Sequence, residues 1–267
     1  MKTLRNEDLS KAAMRGESVT VCGLSVYPIK VYDYEDFCVC RDAVELRMST
    51  LPARFAIQNY ANALFDMTQN GENALQKSYF SKFLKLLALS LRMDEENGEK
   101  DLYHNIFIRR EGDKTSLAYI LVKNGNESVT IEPQDFTAFR KVIAALNGLT
   151  LPDESDNADL IEDAKLKAEI QARDGIQLDV NIPDLIASVA YASRVREKEI
   201  LEWTVKEFES RRKAIDRDKR FTLYAGAELS GNVTFKNGNP YPSWCFDAVD
   251  ETLGTMETAK IQKALGG

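Results

Sequence analysis

Residues 106–131 read IFIRREGDKTSLAYILVKNGNESVTI. Ile106 and Ile108, the run 117–122 and the run 129–131 are rich in β-branched and other apolar residues, and Gly112-Asp113-Lys114 and Asn124-Gly125-Asn126 separate them. Glycine and asparagine accept the left-handed backbone of tight hairpins, so the stretch predicts three antiparallel strands joined as a meander. On either side the apolar period lengthens from two to between three and four, the spacing of one helix face. A small antiparallel sheet set among helices is the α+β class.

Upstream, residues 19–31 carry Val19, Val21, Leu24, Val26, Tyr27, Ile29 and Val31, with Gly23-Leu24-Ser25 between two short halves, and predict a hairpin. Tyr32-Asp33-Tyr34-Glu35-Asp36-Phe37 then predicts a helix to about residue 48, with Asp33 as cap, Asp36 in the reciprocal position and Tyr32 stapled on Phe37. Two more helices are expected over 52–67 and 78–93, the second with Phe80, Phe83, Leu84, Leu87 and Leu91 on one face. Residues 94–101 are charged and read as a surface loop. Downstream, Glu132-Pro133-Gln134-Asp135-Phe136 predicts a helix with Glu132 as cap and Ile131 facing Phe136, ending near Asn147-Gly148.

Leu151-Pro152-Asp153-Glu154-Ser155-Asp156-Asn157 is acidic and contains proline, the composition of a linker. The expected division is an α+β domain over 1–150 and a mainly helical domain over 151–267. The second should hold a charged helix over 158–172, a capped helix starting within 179–184, a short helix over 197–202 and a long one from 204 toward 228. Its sharpest local signal is Trp203-Thr204-Val205-Lys206-Glu207-Phe208, where Thr204 and Glu207 form a capping box and Trp203 and Phe208 its staple. After Gly231, residues 233–235 and 241–246 predict a short hairpin, or an extended arm because Pro240 and Pro242 weaken the second strand. The last seventeen residues read as loosely attached.

Composition narrows the chemistry. With 267 residues, 44% of them hydrophobic, the chain can bury a substantial core, and its longest apolar run, 83–91, is interrupted by Lys85. No membrane span and no secretory leader are expected, and the product reads as intracellular. Thirty-five Lys and Arg against 42 Asp and Glu give a net charge of −7, which opposes phosphate backbones. The only histidine, His104, is read as an ordinary strand-edge residue, and Cys22, Cys38, Cys40 and Cys245, lacking any C-x-x-C pair, as buried reduced thiols. Asp153, Glu154, Asp156 and Asp159 resemble metal ligands in type only, since helix-dipole complementarity and solvation explain them. There is no phosphate-cradling glycine loop and no nucleophile elbow, so no catalytic, cofactor or metal residue is assigned.

Arg211, Arg212, Lys213, Arg217, Lys219 and Arg220 follow a helix-turn-helix-like stretch, which raises a DNA-associated regulator as an alternative. Glu197, Glu199 and Glu202 in the would-be reading segment oppose it, and Glu207, Glu209, Asp216 and Asp218 are spaced to neutralise the cluster within the helix. Among the aromatic residues of the C-terminal third, Trp203, Phe208, Tyr224 and Trp244 are the candidate protein-binding or scaffold positions. Trp203 and Phe208 fit a helical core, whereas Trp244 lies in the proline-stiffened Asn239-Pro240-Tyr241-Pro242-Ser243-Trp244, able to present an anchor at little entropic loss.

Ile186-Ala187-Ser188-Val189-Ala190-Tyr191, Trp203-Thr204-Val205-Lys206-Glu207-Phe208, Ala227-Glu228-Leu229-Ser230-Gly231 and Pro242-Ser243-Trp244-Cys245-Phe246 resemble segments of tail-morphogenesis proteins, near the tail assembly chaperones, of tailed phages and prophages of Gram-positive bacteria. The resemblance is clearest over 151–247 and fainter over 19–151. It implies a non-enzymatic assembly factor or minor tail component in the host cytoplasm or the virion. Its implied partners are other phage tail proteins, such as the tape-measure protein or tube and terminator components. Apart from the resemblance, a homo-oligomer is also a candidate. Neither a membrane nor nucleic acid is an expected partner. An enzyme of unknown type in the α/β half is the remaining alternative.

Overall fold

A computed structural model describes residues 5–93, 106–110, 112, 116–124, 127–154, 181–231, 233–235 and 239–246. These contain nine helices, a two-stranded antiparallel sheet and a three-stranded antiparallel sheet, a mixed α+β architecture. By contacts the chain forms two units: Met1–Asp156 with Val180–Glu209, and Asn157–Asp179 with Ser210–Gly267.

The first unit opens with a helix the sequence reading did not anticipate, α1 (Asn6–Arg15), which buries only Leu9 and Ala13 and ends at left-handed Gly16. One buried pair, four residues apart, is too narrow a stripe to stand out. The expected hairpin is present as β1 (Val19–Val21) and β2 (Leu24–Val26), whose alternation buries Val19, Val21, Leu24 and Val26. Its two-residue turn has positive φ at both Cys22 and Gly23, the backbone that matches the twist of the flanking strands.

Helix α2 (Tyr34–Val44) departs from its expected staple and length. Tyr32 is 74% exposed, and Tyr34 stacks on the buried Phe37 instead. The helix stops at Val44 rather than near residue 48, and buried Arg140 donates from Nε to the Val44 carbonyl, at 2.8 Å, and from a terminal nitrogen to that of Leu46. A guanidinium satisfying carbonyls at a helix C-terminus is favoured by both hydrogen bonding and the helix dipole.

The expected helix over 52–67 is broken into α3 (Ala53–Ala56) and α4 (Tyr60–Asn70). Asn59 takes the Asn62 N–H at 2.9 Å, starting a new helix where continuous periodicity suggested one. Asn73 likewise caps α5 (Ala74–Ser90), four residues earlier than expected, by accepting from the Gln76 N–H at 2.9 Å. On α5, Phe83 is fully buried and meets Tyr60 edge-on at 5.4 Å and Phe136 in a stack at 5.3 Å.

The meander is β3 (Ile106–Arg110), β4 (Leu117–Asn124) and β5 (Glu127–Ile131), in sequential order. Ile106, Ile120, Val122 and Ile131 are buried. Helix α6 (Phe136–Asn147) begins after a turn in which Asp135, not Glu132, sits at the cap position and its carboxylate accepts the Glu132 N–H at 3.0 Å. Ile131 and Phe136 are both fully buried, and α6 ends at left-handed Gly148, as its sequence suggested.

The expected division at residue 150 follows the chain, whereas contacts group it differently. Helix α7 (Ile182–Ser193) starts at Asn181, whose side chain caps the Asp184 N–H, and buries Ile186, Val189 and Ala190. One-turn α8 (Glu197–Ile200) leads to residues 201–205, which pair with the segment around Lys30. Val31 and Tyr32 donate N–H to the carbonyls of Trp203 and Leu201 at 2.9 and 3.1 Å, and Val205 donates to Ile29 at 2.8 Å. Ile200, Val205 and Phe208 are fully buried, which joins Val180–Glu209 to the first unit.

Helix α9 (Val205–Leu229) runs on into the second unit. The described residues after Gly231 form no strand, so the expected hairpin is not seen among them, and 244–246 bend. The expected helix over 158–172, the loop 94–101, His104, Asp156, Asp159 and the last seventeen residues lie outside the described residues.

Candidate protein-interaction surface

The four aromatic candidates separate into scaffold and surface. The Trp203 carbonyl takes part in the pairing with Val31, and its side chain is half-buried. Thr204 Oγ1 accepts the Glu207 N–H at 3.1 Å, the cap expected of that motif, and places Phe208 one turn into α9. Phe208 is wholly buried and meets Tyr34 edge-on at 5.2 Å, so it can hold the fold but not touch a partner. The Tyr34 hydroxyl donates to Glu209, and burial followed by that carboxylate pushes the phenol well above its usual range.

Tyr224 and Trp244 belong to the second unit. Tyr224, half-buried on α9, stacks on Phe235 at 5.5 Å and meets Tyr241 edge-on at 4.8 Å. Asp216 pairs with Arg220 one turn later at 2.9 Å, and Arg220 donates to the Tyr241 hydroxyl at 2.7 Å. Arg217 donates to the Cys245 carbonyl at 2.8 Å. Part of the basic cluster is therefore spent on fastening residues 239–246 to the helix that bears it.

The arm also carries its own turns. Asn239 Oδ1 accepts the Tyr241 N–H at 2.8 Å, and Ser243 Oγ accepts those of Cys245 and Phe246, both at 3.1 Å. Such side-chain turns pre-set the backbone of an otherwise irregular segment. At its tip Trp244 is 60% exposed and Phe246 77% exposed. Arg217 and Arg220, expected only as members of a basic cluster, here fasten the arm, and Ser243 and Phe246 join Trp244 at its tip. The Ser243 spacing was a readable signal, but Arg217 and Arg220 looked like any solvated charges.

A cleft of about 760 Å³ lies at the end of α7 in the first unit. Ala187, Ala190 and Ala192 line it together with Tyr191, Arg194 and Arg196. Arg194 holds left-handed backbone, φ 57°, where the Val195 N–H turns back to the Ala190 carbonyl at 3.2 Å and closes the helix. Nothing in the sequence marks alanines as a cleft.

The remaining polar candidates have structural roles. Glu154 accepts the N–H groups of Met48 and Ser49 at 3.0 and 2.9 Å, capping the one-turn 3-10 helix Met48–Thr50. Burial would raise its carboxyl, but those amides outweigh it and hold the group below its usual range. Cys22 is pushed up to about 11 by burial and by Asp135, leaving a poor nucleophile at neutral pH. Cys40 is buried, Cys22 and Cys38 partly so, and Cys245 is exposed, unlike the buried thiol expected there. Among the described residues no three His, Cys, Asp or Glu side chains gather as a metal site requires, and no helix is long and apolar enough to cross a membrane.

Compared with protein-family models, curated proteins and solved structures, the chain matches none.

Proposed function

We propose that this chain is a non-enzymatic assembly factor of a phage tail that works by gripping other tail proteins, the tape-measure protein foremost. The observation that carries the reading is the fastened arm, which holds Trp244 and Phe246 in solvent on a pre-bent backbone. Single exposed aromatics are common, but two set close together on a pre-ordered segment form the kind of anchor that dominates many protein interfaces. The resemblance of 151–247 to tail-morphogenesis proteins supplies the class of client. A long amphipathic client exposes apolar stripes that aggregate unless covered, and a net charge of −7 favours keeping such a complex dissolved.

The test is affinity purification of the tagged chain from phage-induced cells, with mass spectrometry of the free and particle-bound fractions. The tape-measure protein, or another tail protein, should co-purify, should be lost on Trp244→Ala and should persist in Arg211→Ala/Arg212→Ala/Lys219→Ala. Salt-sensitive duplex binding abolished by the triple substitution would replace this reading with the DNA-associated regulator. Turnover of a defined metabolite by the purified chain, abolished by one polar substitution, would replace it with an enzyme.

A further inference from the structure

The arm and the cleft have complementary chemistry. The arm offers two exposed aromatics, and the sequence continues from them through Asp247, Asp250 and Glu251. The cleft offers an alanine floor, the strongly exposed ring of Tyr191 and the guanidinium groups of Arg194 and Arg196. Among the described residues neither of these two side chains has an ion pair, although Glu197 also borders the cleft. Guanidinium groups bind carboxylates and lie against aromatic faces, so an aromatic segment followed by acidic residues suits this cleft.

We propose that the arm of one copy docks in the arginine-bordered cleft of a second copy, covering Trp244 until a client takes its place. This rests on reading the arm as a protein-binding element and names the occupant it meets in the absence of a client. Tryptophan and phenylalanine bury about 150–250 Å² each. That falls short of the roughly 1,200–2,000 Å² of a stable complex, so the self-contact is weak and exchangeable. A clamp that must yield to a client needs that weakness. Because arm and cleft are different surfaces, the contact is head-to-tail, and each bound pair retains one unused arm and one unused cleft.

Sedimentation equilibrium on the purified full chain tests this. The weight-average mass should rise from 30.1 kDa at low concentration to at least twofold higher by about 100 µM, and the rise should diminish with added salt. Trp244→Ala, which removes the anchor, and Arg194→Glu/Arg196→Glu, which reverses the border charge, should each hold the mass at one chain. Their equimolar mixture should form a two-chain species and nothing larger, because each variant retains one intact half. That recovery also shows that both variants are folded. A wild-type mass independent of concentration, self-association unchanged by Trp244→Ala, or a mixture that stays monomeric overturns the proposal. If tail proteins still co-purify through Trp244 in such a case, only the self-contact falls. If Trp244→Ala changes neither measurement, the client-binding reading falls with it.

Discussion

Helix α9 passes through two environments without a break in its backbone. Its first turn buries Val205 and Phe208 completely, while from Ser210 to Leu229 no described side chain is buried. Phe208 and Tyr224 are both large aromatics on the same helix, yet one is sealed against Tyr34 and the other holds a surface arm through Phe235 and Tyr241. Residue type therefore does not decide burial on this helix. What decides it is whether another part of the chain supplies a facing surface.

The comparison breaks first at Phe208. Phe208→Ala should destabilise the first unit by about 3–5 kcal/mol, the usual loss for emptying a buried phenylalanine site, whereas Tyr224→Ala should cost about 1 kcal/mol. Urea titration measures the first effect, and limited proteolysis of residues 239–246 measures the release of the arm by the second. Comparable stability losses would mean the two ends of α9 are not distinct.

A smaller effect tests the long-range seam that makes the first environment. Asn147 Oδ1 accepts the buried Ile29 N–H at 2.8 Å across 118 residues, and its Nδ2 donates to the Ile143 carbonyl. Asn147→Leu leaves that donor unpaired and should cost about 1–3 kcal/mol, again read by urea titration. An unchanged midpoint would show that the Ile29 segment does not depend on this bond.

Next comes Glu154. Its carboxyl is held below its usual value in the folded chain, so its contribution is present above that value and is lost as pH falls through the lowered one. Acid titration of stability should lose this component as pH falls below about 4.5 in the wild type, and Glu154→Gln should remove that pH dependence, with a loss below about 1 kcal/mol at neutral pH because solvent screens the exposed carboxylate. The smallest expected stability effect is that of Trp244→Ala, within about 0.5 kcal/mol because the side chain faces solvent. If thermal unfolding shows a larger loss, Trp244 belongs to the packing and not to the exposed surface.

Local signals located many helix ends, but the capping residue less often: Asp33 precedes α2 without a side-chain cap bond, and Asp135 takes the place expected of Glu132. Thr204, Asn181 and Gly148 act where their neighbours suggested, because a cap is a contact within three or four residues. The staple at Tyr32 shows the limit of that locality: the spacing places Tyr32 by Phe37, but packing turns Tyr34 onto Phe37 and leaves Tyr32 in solvent. The candidate site divides similarly. The proline-stiffened setting of Trp244 was legible, but its attachment through Arg217 to Cys245 joins positions 28 residues apart, and nothing local distinguishes Arg217 from its charged neighbours.

The α+β class, the hairpin β1–β2 and the meander β3–β5 were legible in the amino-acid sequence, as was the proline-stiffened setting of Trp244. Alternation, turn residues and prolines act over a few residues and need no distant partner. That residues 201–208 belong with the first unit follows from long-range packing alone. That assignment depends on Lys30 pairing with Thr204 and on Phe208 finding Tyr34. Contacts between segments some 170 residues apart are selected by the whole packed arrangement, since no short-range preference of either segment specifies the other.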